Sequence, residues 1–233
     1  MRCGMEEIPV LRKVLEKNDR AAQENRALFD QHGIRCINLL GGAGCGKTAL
    51  LEGVLPRIRS KVACAVLEGD LATTNDARRI AAMDLPVVQL LTEGSCHLSA
   101  VHVQHALRRL DLPRLDLVII ENVGNPVCPA NFDLGEHLRV AVLSVAEGDD
   151  KPEKYPLLFR DAQLIVLTKC DMLSYVNFDL DQATRHLRRL NTTATILQTG
   201  RGMERGFEEV STWLASQVDS GSRAIEKSIV ASA

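Results

Sequence analysis

The sequence predicts an α/β protein built on a mostly parallel sheet flanked by helices. Two observations carry that expectation. Short β-branched runs alternate with helical stretches along most of the chain, the rhythm of βαβ units. Several of those runs (LDLVII, VAVLSV, LIVLT) are apolar throughout, as strands covered on both faces must be. In chain order, residues 8–31 read as a helix with an apolar stripe at Val10, Leu11, Val14 and Leu15, stopped by His32-Gly33, where glycine suits a left-handed turn. Strands follow at 35–40, 62–68, 86–91, 115–121, 138–145, 164–168 and 194–198, with helices at 47–59, 75–83, 98–110, 153–161, 179–190 and 204–217. The chain divides into a helical segment (1–33), a nucleotide-handling α/β domain (34–218) and a flexible C-terminal tail (219–233) that lacks periodicity.

Composition narrows the class. The chain has 233 residues, 45% hydrophobic and 25% charged, which gives enough apolar matter for a real core and excludes disordered or collagen-like readings. Its net charge of −2 carries no basic excess for nucleic acid. Apolar runs are too short to span a bilayer, and MRCGMEEIPV lacks the apolar stretch of a signal peptide. A cytoplasmic protein with neither nucleic-acid nor membrane partners is expected. The seven cysteines are widely spaced, with no CxxC pair, so in a reducing compartment each is a small buried hydrophobe or a metal or redox ligand.

Gly41-Gly42-Ala43-Gly44-Cys45-Gly46-Lys47-Thr48 satisfies the phosphate-loop pattern in full, between a strand (IRCINLL) and a helix (TALLEGVL). Glycines let the backbone turn its N–H groups onto phosphates at a helix N-terminus. Lys47 sets a compact charge on the β- and γ-phosphates, and the Thr48 hydroxyl ligates Mg²⁺. A ligand-free glycine turn is the rival, disfavoured because pattern and flanks agree. Further groups belong at the ends of neighbouring strands. There stand Asp70, Glu121 and, one turn beyond Asp70, Asp76, as candidates for Mg²⁺ binding or water ordering. Solvated loop carboxylates are the other reading of each.

Thr168-Lys169-Cys170-Asp171 resembles the NKxD element of GTP-binding proteins, with Thr in the Asn position. Asp171 can accept the N1–H and exocyclic amino donors of guanine, and the Lys169 stem packs over the ring. Thr168 reproduces only part of the Asn role, and such a strand end also arises by chance. Gln198-Thr199-Gly200 stands where the base pocket is completed by backbone N–H groups. Two further segments, Glu93-Gly94-Ser95-Cys96-His97 and Asn125-Pro126-Val127-Cys128-Pro129, each follow a strand. Two thiolates and an imidazole suit Zn²⁺ or Ni²⁺, and three ligands are too few for a closed site unless two subunits share it. Two buried cysteines and a surface histidine are the other reading. His102 and His105 read as exposed helix residues.

The runs 116–135 (DLVIIENVGNPVCPANFDLG), 68–78 (EGDLATTNDAR), 93–97 and 147–151 (EGDDK) together resemble the HypB family, the hydrogenase nickel-incorporation GTPases. The resemblance spans roughly residues 8–218, and the ENVGN…CPANFDLG stretch separates it from the urease accessory GTPases. It implies a P-loop NTPase of the SIMIBI-like G-domain type, using GTP and Mg²⁺. It also implies a homodimer with Ni²⁺ or Zn²⁺ at its interface, working with hydrogenase maturation accessory proteins and the hydrogenase large subunit. Residue by residue, it makes Cys96, His97 and Cys128 the interface metal ligands and Gly44 to Thr48 the phosphate loop. Asp76 becomes the Mg²⁺ or water-ordering aspartate, Asp171 the guanine reader, and Lys151 part of a loop that reaches the partner's nucleotide. The chain departs from the family in having only Cys3 and His32 near its N-terminus, where some members carry a nickel motif, and in Thr168. The expected function is slow GTP hydrolysis that governs dimerisation and metal release. The alternatives are a nickel or zinc carrier with incidental turnover, or a small-molecule kinase, which the lack of an arginine-rich lid segment disfavours.

Overall fold

Seven parallel strands lie in the order β3-β2-β4-β1-β5-β6-β7. They are β1 (Arg35–Gly41), β2 (Cys64–Asp70), β3 (Val87–Leu91), β4 (Leu117–Glu121), β5 (Leu138–Ser144), β6 (Leu164–Thr168) and β7 (Thr195–Gln198). The helices are α1 (Val10–Gln31), α2 (Lys47–Ile58), α3 (Asn75–Ala81), α4 (Ala100–Leu107), α5 (Lys151–Lys154), α6 (Pro156–Arg160), α7 (Leu180–Leu190) and α8 (Glu204–Ala231). The structure is a computed structural model describing residues 10–70, 75–92 and 94–231, with side chains over 15–218. Cys3, residues 71–74, Glu93 and the side chains of Val10, Leu11 and Val14 lie outside the described residues. No helix of the described residues is long and apolar enough to cross a membrane.

All seven expected strands are present, and the period-two alternation of their side chains explains why they read as apolar. In β1, Ile37 and Leu39 face α2 and α8, packing with Leu51, Val54, Val210 and Leu214. Cys36 points the other way, into a cluster with Phe29 of α1 and Val103 and Leu107 of α4. Leu40, also on that opposite face, joins Ala141 and Leu143 of β5, Phe159 of α6 and Leu187 of α7. A sheet so covered offers its carboxyl edge as the open ground for ligands, above all where the strand order reverses around β1.

Several element boundaries differ from expectation, three of them with a local physical cause. The helix expected at 153–161 is broken into α5 and α6, because Pro156 forces the preceding Tyr155 out of helical geometry, at φ −125° and ψ 57°. α8 continues to Ala231 rather than stopping at 217 before a loose tail. That segment holds no proline and, past Gly206, a single glycine, Gly221, so nothing in the backbone compels a stop. α4 begins at Ala100, capped by Ser99, whose Oγ accepts from His102 N while His102 Nδ1 accepts from Ser99 N. His102 is thus a half-buried cap, whereas His105 is exposed as expected.

Candidate functional site

β1 delivers the chain into the phosphate loop, and the loop's tightness dictates its glycines. A Cβ on Gly41 would lie 2.6 Å from both Cys45 Sγ and Val142 O. Gly44 (φ +69°) and Gly46 (φ +99°) are left-handed, and Gly46 caps α2. Lys47, the first residue of α2, is buried and folds its Nζ back onto the carbonyls of Gly41 (3.3 Å) and Gly42 (3.2 Å). Its charge is therefore held over the backbone that would cradle phosphates. Thr48 Oγ1 donates to Glu121 Oε1 at 2.7 Å.

A cavity of about 410 Å³ opens over this loop, and Asp70, Asp76 and Glu121 all line it. So does Glu68, which the sequence reading passed over. Glu68 and Glu121 stand directly opposite each other on β2 and β4, 2% and 3% exposed, and each has one carboxylate oxygen with no hydrogen-bond partner. Burial raises the Glu121 carboxyl to about 7, against the pull of the Thr48 hydrogen bond and Lys47. Burial, reinforced by the charges of Glu121, Asp70 and Asp76, raises Glu68 to about 8. Arg79, also unforeseen, ties Asp76 Oδ1 (2.9 Å) to Glu52 (2.8 and 2.6 Å) at the cavity wall. Buried carboxylate oxygens without partners beside a hydroxyl form a hard-oxygen donor set, which fits Mg²⁺.

The TKCD turn closes on the phosphate loop from the β6 side. Thr168 Oγ1 donates to Cys45 O at 2.5 Å and Lys169 Nζ to Gly44 O at 2.8 Å, with Lys169 itself left-handed at φ +58°. The tie expected of an Asn is made here by the threonine hydroxyl. A second cavity of about 500 Å³ is lined by Lys169, Asp171, Thr199, Gly200 and Arg201. Asp171 Oδ1 accepts from Arg201 N at 2.9 Å, and a Cβ on Gly200 would lie 2.6 Å from that oxygen, so glycine admits the carboxylate. Gln198 does not join them. It is exposed and lines a separate depression with Glu204 and Arg205. Lys151 lines neither cavity and pairs with Asp150 at 3.1 Å.

The two cysteine segments meet at the same edge of the sheet. Cys96 is exposed and Cys128 half-buried. The neighbouring Cys128 thiol raises the Cys96 pKa above its ordinary value. Cys96 Sγ lies 3.7 Å from His97 Nδ1, and Asn125 Nδ2 donates to Cys96 O at 3.3 Å. The His97 ring stacks on Phe132, centroids 3.9 Å apart, and burial lowers its pKa, leaving the imidazole neutral and able to bind a metal. Among the described residues, no three Cys, His, Asp or Glu side chains converge as a ready metal site. One chain therefore brings Cys96, His97 and Cys128 together without closing them around an ion.

Residues 35–198 match the family model described as "CobW/HypB/UreG, nucleotide-binding domain". The chain is 45% identical over 204 residues to the hydrogenase maturation factor HypB of Escherichia coli (strain K12), covering 88% of this chain and 70% of that one. It is similar to two solved structures. One is the hydrogenase maturation factor HypB from Archaeoglobus fulgidus (TM-score 0.82, 35% identity, 88% of this chain and 100% of that one). The other is HypB from Helicobacter pylori in complex with nickel (TM-score 0.83, 33% identity, 88% and 96%). With the family's domain spanning all seven strands, this chain belongs to the CobW/HypB/UreG nucleotide-binding family and, within it, to the HypB hydrogenase maturation factors.

Proposed function

We propose that this protein is a cytoplasmic GTP-hydrolysing nickel metallochaperone that helps load nickel into [NiFe] hydrogenase, with nucleotide state governing dimerisation and a shared thiol–imidazole site. The observation that carries this reading is the direct contact between the phosphate loop and the cysteine loops. Gly124 packs so closely on Ala43 that a Cβ there would lie 2.8 Å from Ala43 Cα, and the next residue, Asn125, bonds the Cys96 carbonyl. A buried relay runs in parallel. Asn122, on the phosphate cavity, donates to Asn38 (3.2 Å), and Asn38 donates to Glu136 (3.3 Å). Glu136 holds Arg139 (2.7 Å), whose guanidinium grips the carbonyls of Ala130 and Phe132, the residue beneath His97.

GTP and water give GDP and phosphate at the first cavity. Lys47 and the loop N–H groups neutralise the phosphates, Asp171 selects guanine, and Asp70 and Asp76 order the attacking water. Thr48, Asp76 and Glu121 would hold Mg²⁺, which when bound would offset the charge of the phosphates. Ordering the end of β4 around the γ-phosphate moves the segment that leads into Cys128, and ordering Asp70 at the end of β2 moves the one that leads into Cys96, since Asp70 O accepts from Thr92 N at 3.1 Å. Three ligands from one chain are too few for nickel, the cargo, or for Zn²⁺. Exposed Leu91 (53%) and Val127 (50%), next to the cysteine loops, offer apolar surface for a second copy that supplies the rest. In the dimer, Lys151 reaches the partner subunit's nucleotide. Accessory maturation proteins and the hydrogenase large subunit are the partners in delivery.

Linkage makes this testable. If a GTP analogue favours the nickel-bound dimer, nickel tightens the analogue by the same factor, about fivefold or more. Titrating a non-hydrolysable GTP analogue with and without Ni²⁺, alongside sedimentation, reads both. Equal affinities remove the coupling, and an indifference to guanine nucleotides removes the whole reading.

A further inference from the structure

The cysteine loops, 92–99 ahead of α4 and 122–137 ahead of β5, leave the sheet before they reach their thiols. α1 grips the second loop directly and the first where it enters α4, at Ala100. Asn18, 4% exposed, donates through Nδ2 to Asp133 O at 2.8 Å and accepts through Oδ1 from Ala100 N at 2.9 Å. Asn25, 1% exposed, donates to Ala100 O at 2.8 Å and to Leu134 O at 3.0 Å. The two asparagines are seven residues apart, two helical turns, and so share one face of α1. Arg26 adds two bonds to the Asp133 carboxylate (2.8 and 3.0 Å) and one to Glu136 O (3.0 Å). Backbone rests on backbone here: a Cβ on Gly135 (φ +91°) would lie 2.6 Å from Ala22 O and from Asn25 Cβ.

Asparagine is a poor helix-interior residue, and burying its amide costs free energy unless its bonds are used. Nothing in the nucleotide cavity uses these two. Each instead bonds the 122–137 loop, at 133–134, and Ala100, the first residue of α4, onto which the 92–99 loop runs directly. We propose that Asn18 and Asn25 are positioning residues of the thiol–imidazole cluster, a staple in which one rigid helix fixes the separation of Cys96 and His97 from Cys128. This rests on the reading of those three side chains as nickel ligands. It also gives α1 a role: any shift of the helix along its axis moves both halves of the cluster together, whereas loss of an asparagine lets them part.

The test uses the full, reduced protein and Ni²⁺ alone as the probe, followed by thiolate-to-nickel charge-transfer absorption. A second readout needs no metal: the yield of the Cys96–Cys128 adduct with dibromobimane, a short thiol cross-linker, identified by peptide mapping. Asn25→Ala is expected to weaken Ni²⁺ binding by about tenfold or more, in the range typical of residues that orient metal ligands, and to lower the adduct yield. GTP-analogue affinity should stay within about twofold, since no bond to the phosphate loop is lost. Unchanged nickel affinity and adduct yield in folded Asn25→Ala overturn the staple. Should that variant not fold, Asn18→Ala, which keeps the Asn25 bonds, decides by the same two readouts. If Cys128→Ser binds nickel like the unsubstituted protein, the ligand reading has failed, and the adduct yield alone decides on the staple.

Discussion

The phosphate cavity and the cysteine cluster share one edge of the sheet but are built in opposite ways. The first is centred on eight consecutive residues at the β1–α2 turn, locked by close backbone approaches that only glycine permits, with β2, α3 and β4 supplying the carboxylates around them. Its cation is already seated, with Lys47 bonded to the loop it serves. The second is assembled from residues of two loops that leave the sheet, joined by the bond from Asn125 to the Cys96 carbonyl and held from outside by α1. One is preorganised, and the other is left open. Preorganised donors aimed at a charged group are where catalytic stabilisation is largest, and half-assembled sites are where a ligand can shift an equilibrium.

The sharpest way to break this contrast is Lys47→Ala. Hydrolysis of GTP should fall by at least about a hundredfold, roughly 3 kcal/mol of transition-state stabilisation. Nickel binding by the isolated chain, read by charge-transfer absorption, should persist. Were nickel binding to vanish with it, the two regions would be one site and the contrast false. Next in size is Asp171→Asn in the base cavity. An amide cannot accept from both guanine donors, so the preference for GTP over ATP in competition binding should drop on the order of a hundredfold. An unchanged preference would assign guanine selection to the backbone of 199–201 instead.

What the sequence reveals follows the same division. The phosphate loop is legible because its residues are contiguous and their spacing is the mechanism. The seven strands are legible because burial on both faces leaves little but β-branched and aliphatic residues. Glu68 could have been found by that logic. A carboxylate inside the apolar run CAVLEGD has nowhere polar to go except a site, yet the more exposed Asp70 drew the attention. The relay from Asn122 to Arg139 had no signal, since its bonds join residues 84 and 98 positions apart. The same holds for the asparagines of α1. Gln198 failed differently: β7 ends as expected, but the side chain of its last residue falls on the far side from the base cavity. Thr168 shows local chemistry beating a motif, because a hydroxyl of the right reach does the tying that an amide was expected to do.

Glu68 supplies the smallest and most discriminating test of preorganisation. In the folded chain its carboxyl is raised to about 8, first by burial and then by Glu121, Asp70 and Asp76, against an ordinary value of 4.5. The folded state therefore holds a proton that the unfolded chain releases. That contribution to stability is complete below about 4.5 and is lost as pH rises toward 8. Glu121, raised to about 7, adds a slope of the same sign. Glu68→Gln keeps the shape and removes the titration. Relative to the unsubstituted protein it should gain on the order of 1–2 kcal/mol at about pH 8 in urea unfolding, and close to nothing at about pH 5. An equal gain at both pH values would mean that Glu68 is ionised throughout and that the cavity holds its charge some other way. If instead the gain grows with pH, the carboxylates of the phosphate cavity repel one another, a repulsion that a bound cation would relieve and that the half-exposed cysteine cluster lacks.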